Sequence, residues 1–157
     1  QWAALGEQYQ AIVLAPQSAD PARWNPSEVD FIRKTIDNVL SIYTIDRNRI
    51  VVHGQQAGGS MSYLVGFSHR DLIRGVAPLD ASLPIRAAIK ANDPGERLAF
   101  YAFNLKESKL AKASAAGLKR LTAAKYPVTA VQLSDKAGLS DSDRIQFLQW
   151  VDSLDRI

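Results

Sequence analysis

Apolar residues recur in two rhythms along this chain, and the alternation between them outlines the fold. Residues 11–16, 50–53, 75–79, 98–103 and 128–133 are short, largely apolar runs with the length of strands, and 11–16 and 98–103 are apolar on both faces. Between them, apolar positions repeat every three or four residues. Val29, Ile32, Ile36, Val39, Leu40 and Tyr43 form one helical stripe. Its start is marked by Asn25 as N-cap, Pro26 at the first helical position and Glu28 three residues after the cap. Met61, Leu64 and Val65 face inward on a second helix. Leu110, Ala113, Ser114, Gly117, Leu118 and Leu121 line a third, and Ile145, Leu148, Val151 and Leu154 belong to a last helix capped by Asp141. Residues 1–9 read as the end of a helix. Loops are expected at 17–24, at 82–96 with at most one helical turn around 86–90, and at 134–140.

Strands alternating with helices, through connections too long for hairpins, call for right-handed crossovers. The predicted class is α/β: a three-layer arrangement around a parallel sheet of about five strands, with helices on both faces. The apolar run 98–103 is expected near the centre of the sheet. Ligands bind such sheets beyond the carboxyl ends of the strands. Those ends carry Gln17, His53, Gln55, Gln56, Asp80, Ser82, residues 104–107 and residues 134–139.

The 157 residues and 46% hydrophobic content fit one domain, residues 1–157, with a sizeable core. The net charge of +3 comes from scattered basic residues. Lys119 and Arg120 with Lys125 lie on a predicted helix and read as a solvated face rather than a nucleic-acid surface. No apolar run approaches the roughly 20 residues of a membrane span. The absence of cysteine excludes disulfides and thiolate chemistry. Two unclustered histidines give no metal-ligand spacing, and no cofactor is implied. Gln1 is not an initiator methionine, so a piece of a longer polypeptide is expected.

The stretch Ile50-Val51-Val52-His53-Gly54-Gln55-Gln56-Ala57-Gly58-Gly59-Ser60 reads as strand, tight turn and helix. That is the outline of a nucleophile elbow, where glycines flanking the central residue relieve backbone crowding. The residue between Gly54 and Gly58 is Gln56, which has no nucleophilic hydroxyl. Ser60 falls in the first helical turn, where capping or packing is its simpler role. His53 reads as a hydrogen-bonded residue at a strand end, and His69 as a surface residue at a helix C-terminus. Trp2, Trp24 and Trp150 read as core or rim rather than a binding platform, with the border of a pocket as the alternative for Trp24 in its long loop.

Taken together, the chain resembles roughly the C-terminal two thirds of an α/β-hydrolase. The nearest likeness is to the polyhydroxybutyrate-depolymerase, feruloyl-esterase and carboxylesterase group. The resemblance rests on Ile12-Val13-Leu14-Ala15-Pro16-Gln17, on Tyr43-Thr44-Ile45-Asp46-Arg47-Asn48-Arg49-Ile50, on the elbow, and on Pro127 and Gln149-Trp150-Val151 near the end. It implies a serine nucleophile, a histidine base, a carboxylate and backbone oxyanion donors. At the matching places stand Gln56 for the serine, Glu107 near the acid and Leu139 for the histidine. The resemblance also implies a further strand before the first helix, lying between 11–16 and 50–53 and supplying half the oxyanion hole. Without it, the alternative is direct pairing of residues 12–14 with 50–52.

The expectation from these replacements is a degenerate esterase-like domain without an intact catalytic set. Gln56 is open to three readings: a polar ligand contact, an engineered inactivation or a tolerated replacement. The accompanying departures at Gln55 and Leu139 favour the last. Such a domain would bind a small molecule or the rest of a larger polypeptide through Gln17, Gln55, Gln56 and Asp80. An alternative is a working carboxylesterase or peptidase-like hydrolase built on His53, Ser60 and Asp80; a third is a domain kept for self-assembly into a homo-oligomer. A secreted or periplasmic location is implied by the resemblance alone.

Overall fold

The helix starts are held by residues that satisfy the first free N–H groups. Asn25 accepts from the Ser27 N–H, and the Glu28 carboxylate returns to the Asn25 N–H at 2.7 Å, closing a capping box. Glu28 also accepts from the Ala19 N–H and the Ser18 hydroxyl, pinning the preceding loop to the helix entry. These backbone donors hold its carboxyl below the usual range.

The computed structural model describes residues 2–21, 23–84, 89–133 and 138–156. Most of the helical turn expected around 86–90, and the loop residues 134–137, lie outside the described residues. In chain order the elements are α1 (Trp2–Gln8), α2 (Val29–Ile42), β1 (Val51–Gln55), α3 (Ala57–Ser68), β2 (Gly75–Leu79), β3 (Ala99–Leu105), α4 (Ala111–Ala123), β4 (Val128–Leu133) and α5 (Asp141–Ser153), with short 3-10 turns between.

The strands form one parallel sheet in the order β1-β2-β3-β4. On one face α2, α3 and α4 bring Val29, Ile32, Met61, Val65, Leu118 and Leu121 against Val76, Phe100 and Ala102. On the other, α1 and α5 bring Trp2, Phe147 and Trp150 against Ala77, Tyr101 and Phe103. Apolar residues on both faces of β2 and β3 meet a helical layer on each side, which gives the three-layer α/β arrangement expected. Phe100 and Phe103 have no exposed surface at all.

The main correction concerns residues 11–16. They form no strand of the described sheet, and no ladder joins 12–14 to 50–52. Ile12, Val13 and Leu14 are 45%, 52% and 39% exposed. The segment is anchored at its start by the Ala11 N–H donating to Gly6 O at 2.8 Å. An apolar run becomes a strand only when a neighbour lies about 4.8 Å away to accept its ladder, and among the described residues β1 pairs on its β2 side only.

Smaller corrections follow from where the helices begin and end. Tyr43 is 54% exposed because α2 stops at Ile42 and Tyr43 is an extended C-cap. Leu110 and Ala113 are exposed: Leu110 precedes the first turn of α4, and the inward stripe there is Ser114, Gly117, Leu118 and Leu121. The cap of α5 is Ser140, not Asp141; its hydroxyl accepts from the Asp143 N–H while the Asp143 carboxylate accepts from the Ser140 N–H.

Candidate functional site

The turn from β1 into α3 is built by the absence of side chains. A Cβ on Gly54 would sit 2.3 Å from the Gly58 carbonyl carbon, and one on Gly59 would sit 2.5 Å from Ala81 Cβ. Between them Gln56 adopts φ 50° and ψ −111°, a conformation rare for any residue but glycine. Two backbone bonds hold it there. Its N–H donates to Leu79 O at 2.9 Å, and its carbonyl accepts from the Ser60 N–H at 2.9 Å, opening the helix.

The register brings the other strand ends to the same level. Gln55 stands opposite Leu79, and Leu79 opposite Phe103, so Gln56, Asp80 and Asn104 follow one another across the sheet. Asp80 repeats the geometry of Gln56: its φ is 45°, and its N–H donates to Phe103 O at 2.9 Å. Asn104 is fixed from two sides, its Oδ1 accepting from the Ser114 hydroxyl at 2.7 Å and its carbonyl from Gln132 Nε2 at 2.9 Å. Nothing in the sequence marked Asp80 as a strained residue, since aspartate is equally at home in ordinary loops. The Asn104–Ser114 bond was equally invisible, because it joins a strand end to a helix one turn in.

Of the remaining positions, Gln17, Gln55 and Gln56 are exposed, and Glu107 is exposed in the turn after β3. Leu139 packs against the apolar cluster beneath α5. Trp24 lies beside the elbow, its indole nitrogen 3.8 Å from where a Cβ on Gly58 would stand.

His53 sits on β1 with its ring among Trp2, Phe103 and Phe147, at centroid separations of 5.7–6.0 Å. Its Nδ1 lies 2.7 Å from Ala77 O, so Nδ1 carries the hydrogen and donates, which leaves Nε2 as the bare nitrogen of a neutral ring. The residue keeps exposed surface on β1, and the surrounding nest of rings desolvates the imidazole enough to hold its pKa below the ordinary histidine value, against the opposing pull of the Ala77 bond. That nest belongs to the α1 and α5 face, whereas Ser60 rides on α3, on the opposite face. No hydrogen bond joins His53 to Ser60 or Asp80 among the described residues. His69 is the C-cap of α3 rather than a free surface residue, and its Nε2 is buried without a hydrogen-bond partner.

No group of three or more histidine or acidic residues among the described residues is placed to hold a metal ion. No described helix is long and apolar enough to cross a membrane.

A parallel sheet clad on both faces, with a strained non-glycine residue at the strand-to-helix turn, is the architecture of an α/β-hydrolase. No protein-family model matches the sequence, and no curated protein matches it. Solved structures do match. A carboxylesterase from Mesorhizobium loti superposes with a TM-score of 0.67 at 13% identity, covering 87% of this chain and 66% of that one. SOBER1 from Arabidopsis thaliana gives 0.67 at 16% identity, with 82% and 63% covered. The Bacillus cereus carboxylesterase gives 0.60 at 20% identity, with 90% and 72% covered. The chain therefore has the α/β-hydrolase fold of these structures. It spans less than two thirds of the length of the M. loti and A. thaliana proteins.

Proposed function

We propose that this chain is a degenerate esterase-like domain, one that keeps the elbow as a packing device and works by binding a ligand or partner within a larger polypeptide. The observation that carries the reading is Gln56 itself. The residue holds the strained conformation an attacking serine would need, yet offers an amide in place of a hydroxyl. Leu139, turned into the apolar cluster, and His53, tied to Ala77 in its aromatic nest, supply no base beside it.

The open outer edge of β1 and the exposed apolar segment 12–14 support a second part of the proposal. A strand from elsewhere in the same polypeptide completes the sheet between them, so this chain forms the C-terminal portion of a whole hydrolase-type domain. Thermal unfolding of the chain with and without its native upstream residues tests this: a higher midpoint for the longer protein is expected, and equal midpoints contradict it.

For the catalytic question the assay is p-nitrophenyl acetate hydrolysis by the full-length protein. The expected result is a rate equal to that of Gln56→Ala and to buffer. Turnover abolished by His53→Ala or Ser60→Ala would overturn the reading in favour of an atypical active hydrolase.

A further inference from the structure

The far side of the sheet carries an unpaired edge with its own groove. Among the described residues β4 has a strand neighbour only in β3. Phe100 stands opposite Val128, and its N–H donates to Pro127 O, so Thr129 and Val131 turn their backbone groups toward β3. Val128, Ala130 and Gln132 therefore direct their N–H and C=O groups away from the sheet. Edge strands are ordinarily blunted by charges, prolines or bulges, and Val-Thr-Ala-Val-Gln-Leu has no charge and no proline within it.

Beside this edge runs an open groove of about 680 Å³ between β4 and α4. Its walls are mostly apolar, with Val128 and Ala130 on the strand and Ala115 on the helix, and Lys119 stands at its rim. The stretch 106–125 that carries α4 contains Lys106, Lys109, Lys112, Lys119, Arg120 and Lys125 against the single acid Glu107. Lys112 and Lys119 share the outer face of α4, two turns apart, and neither has an ion-pair partner among the described residues.

We propose that this edge docks an extended acidic segment of a partner protein, which adds to β4 as a fifth strand. Its groove-facing positions carry small apolar side chains flanked by carboxylates. The backbone groups of Val128, Ala130 and Gln132 supply the ladder, the groove takes the apolar side chains, and Lys112 and Lys119 select for acid. A second copy of this chain is the poorer occupant. Pairing β4 with β4 about a two-fold axis would set two lysine-bearing α4 helices side by side, and like charges facing each other oppose association. The proposal is independent of the elbow and of its loss of chemistry.

The probe is a capped, fluorescein-labelled octapeptide, Thr-Glu-Thr-Val-Thr-Val-Thr-Glu, titrated with the protein and followed by anisotropy. Binding that weakens with added salt is expected, with a loss of about tenfold or more on Lys119→Glu and a similar loss on Ala130→Pro. Ala130→Pro removes an outward N–H while sparing the bonds to β3. The same peptide with lysine for glutamate should bind at least about tenfold more weakly. Absence of binding, equal binding by both peptides, or binding indifferent to Lys119→Glu would each overturn the proposal. Sedimentation equilibrium supplies a further test: self-association abolished by Ala130→Pro would assign the edge to a second copy instead. Circular dichroism checks the fold of Ala130→Pro; should it fail, the exposed Lys119→Glu change decides.

Discussion

Residues 11–16 and 98–103 read alike in sequence, apolar from end to end, and the fold treats them in opposite ways. Leu98, Phe100 and Phe103 are 0–1% exposed, and residues 99–103 are bonded into β3 between two neighbours. Val13 is 52% exposed, and among the described residues no strand pairs with it. The difference lies in what surrounds each run. Residues 98–103 have β2 on one side, β4 on the other and a helical layer on each face, whereas 11–16 have no strand neighbour among the described residues. Apolar content makes a segment eligible for a parallel sheet; a ladder on at least one side and cover on both faces make it a strand.

The largest test of that contrast is truncation within each run. Phe100→Ala removes a ring packed against Tyr63, Phe67 and Tyr126, and should lower unfolding stability by about 3–5 kcal/mol in denaturant titrations. Gly54→Ala comes next. Its new Cβ would meet the backbone of Gly58, and the turn must open at a cost of about 2–4 kcal/mol, seen as a lower thermal midpoint.

The acid sensitivity of His53 is smaller. Its folded pKa lies below the unfolded value, so the unfolded chain gains a proton first as pH falls. The stability that this residue contributes is complete above about pH 7 and is lost on acidification through the mid-range, from about 6.5 downward. His53→Phe should flatten that part of the stability–pH curve. Smallest is Leu14→Ala, at about 0.5 kcal/mol or less, because the side chain is largely in water already. A cost for Leu14→Ala comparable to that of Phe100→Ala would break the comparison outright.

The strands 75–79 and 128–133 were legible because their short, largely apolar runs find strands to pair with in the sheet. The elbow turn was legible for a different reason. Gly54 and Gly59 are there because a Cβ has no room, and this requirement leaves its mark directly on residue identity. Residues 11–16 were misread because local apolarity carries no information about a neighbouring strand. Ser140 and Asp141 are both competent caps, so only the placed Asp143 carboxylate distinguished them. At the strand ends, Gln56 could be assigned its turn, but the matching strain at Asp80 and the tie of His53 to Ala77 depend on register, which sequence spacing does not carry.

Whether any hydroxyl at the elbow is activated separates a relic of a hydrolase site from a working one. Intact-protein mass spectrometry after treatment with a fluorophosphonate, which phosphonylates activated serines, tests this most directly. The predicted result is an unchanged mass. An adduct mapped to Ser60 and lost in the His53→Ala protein would contradict it.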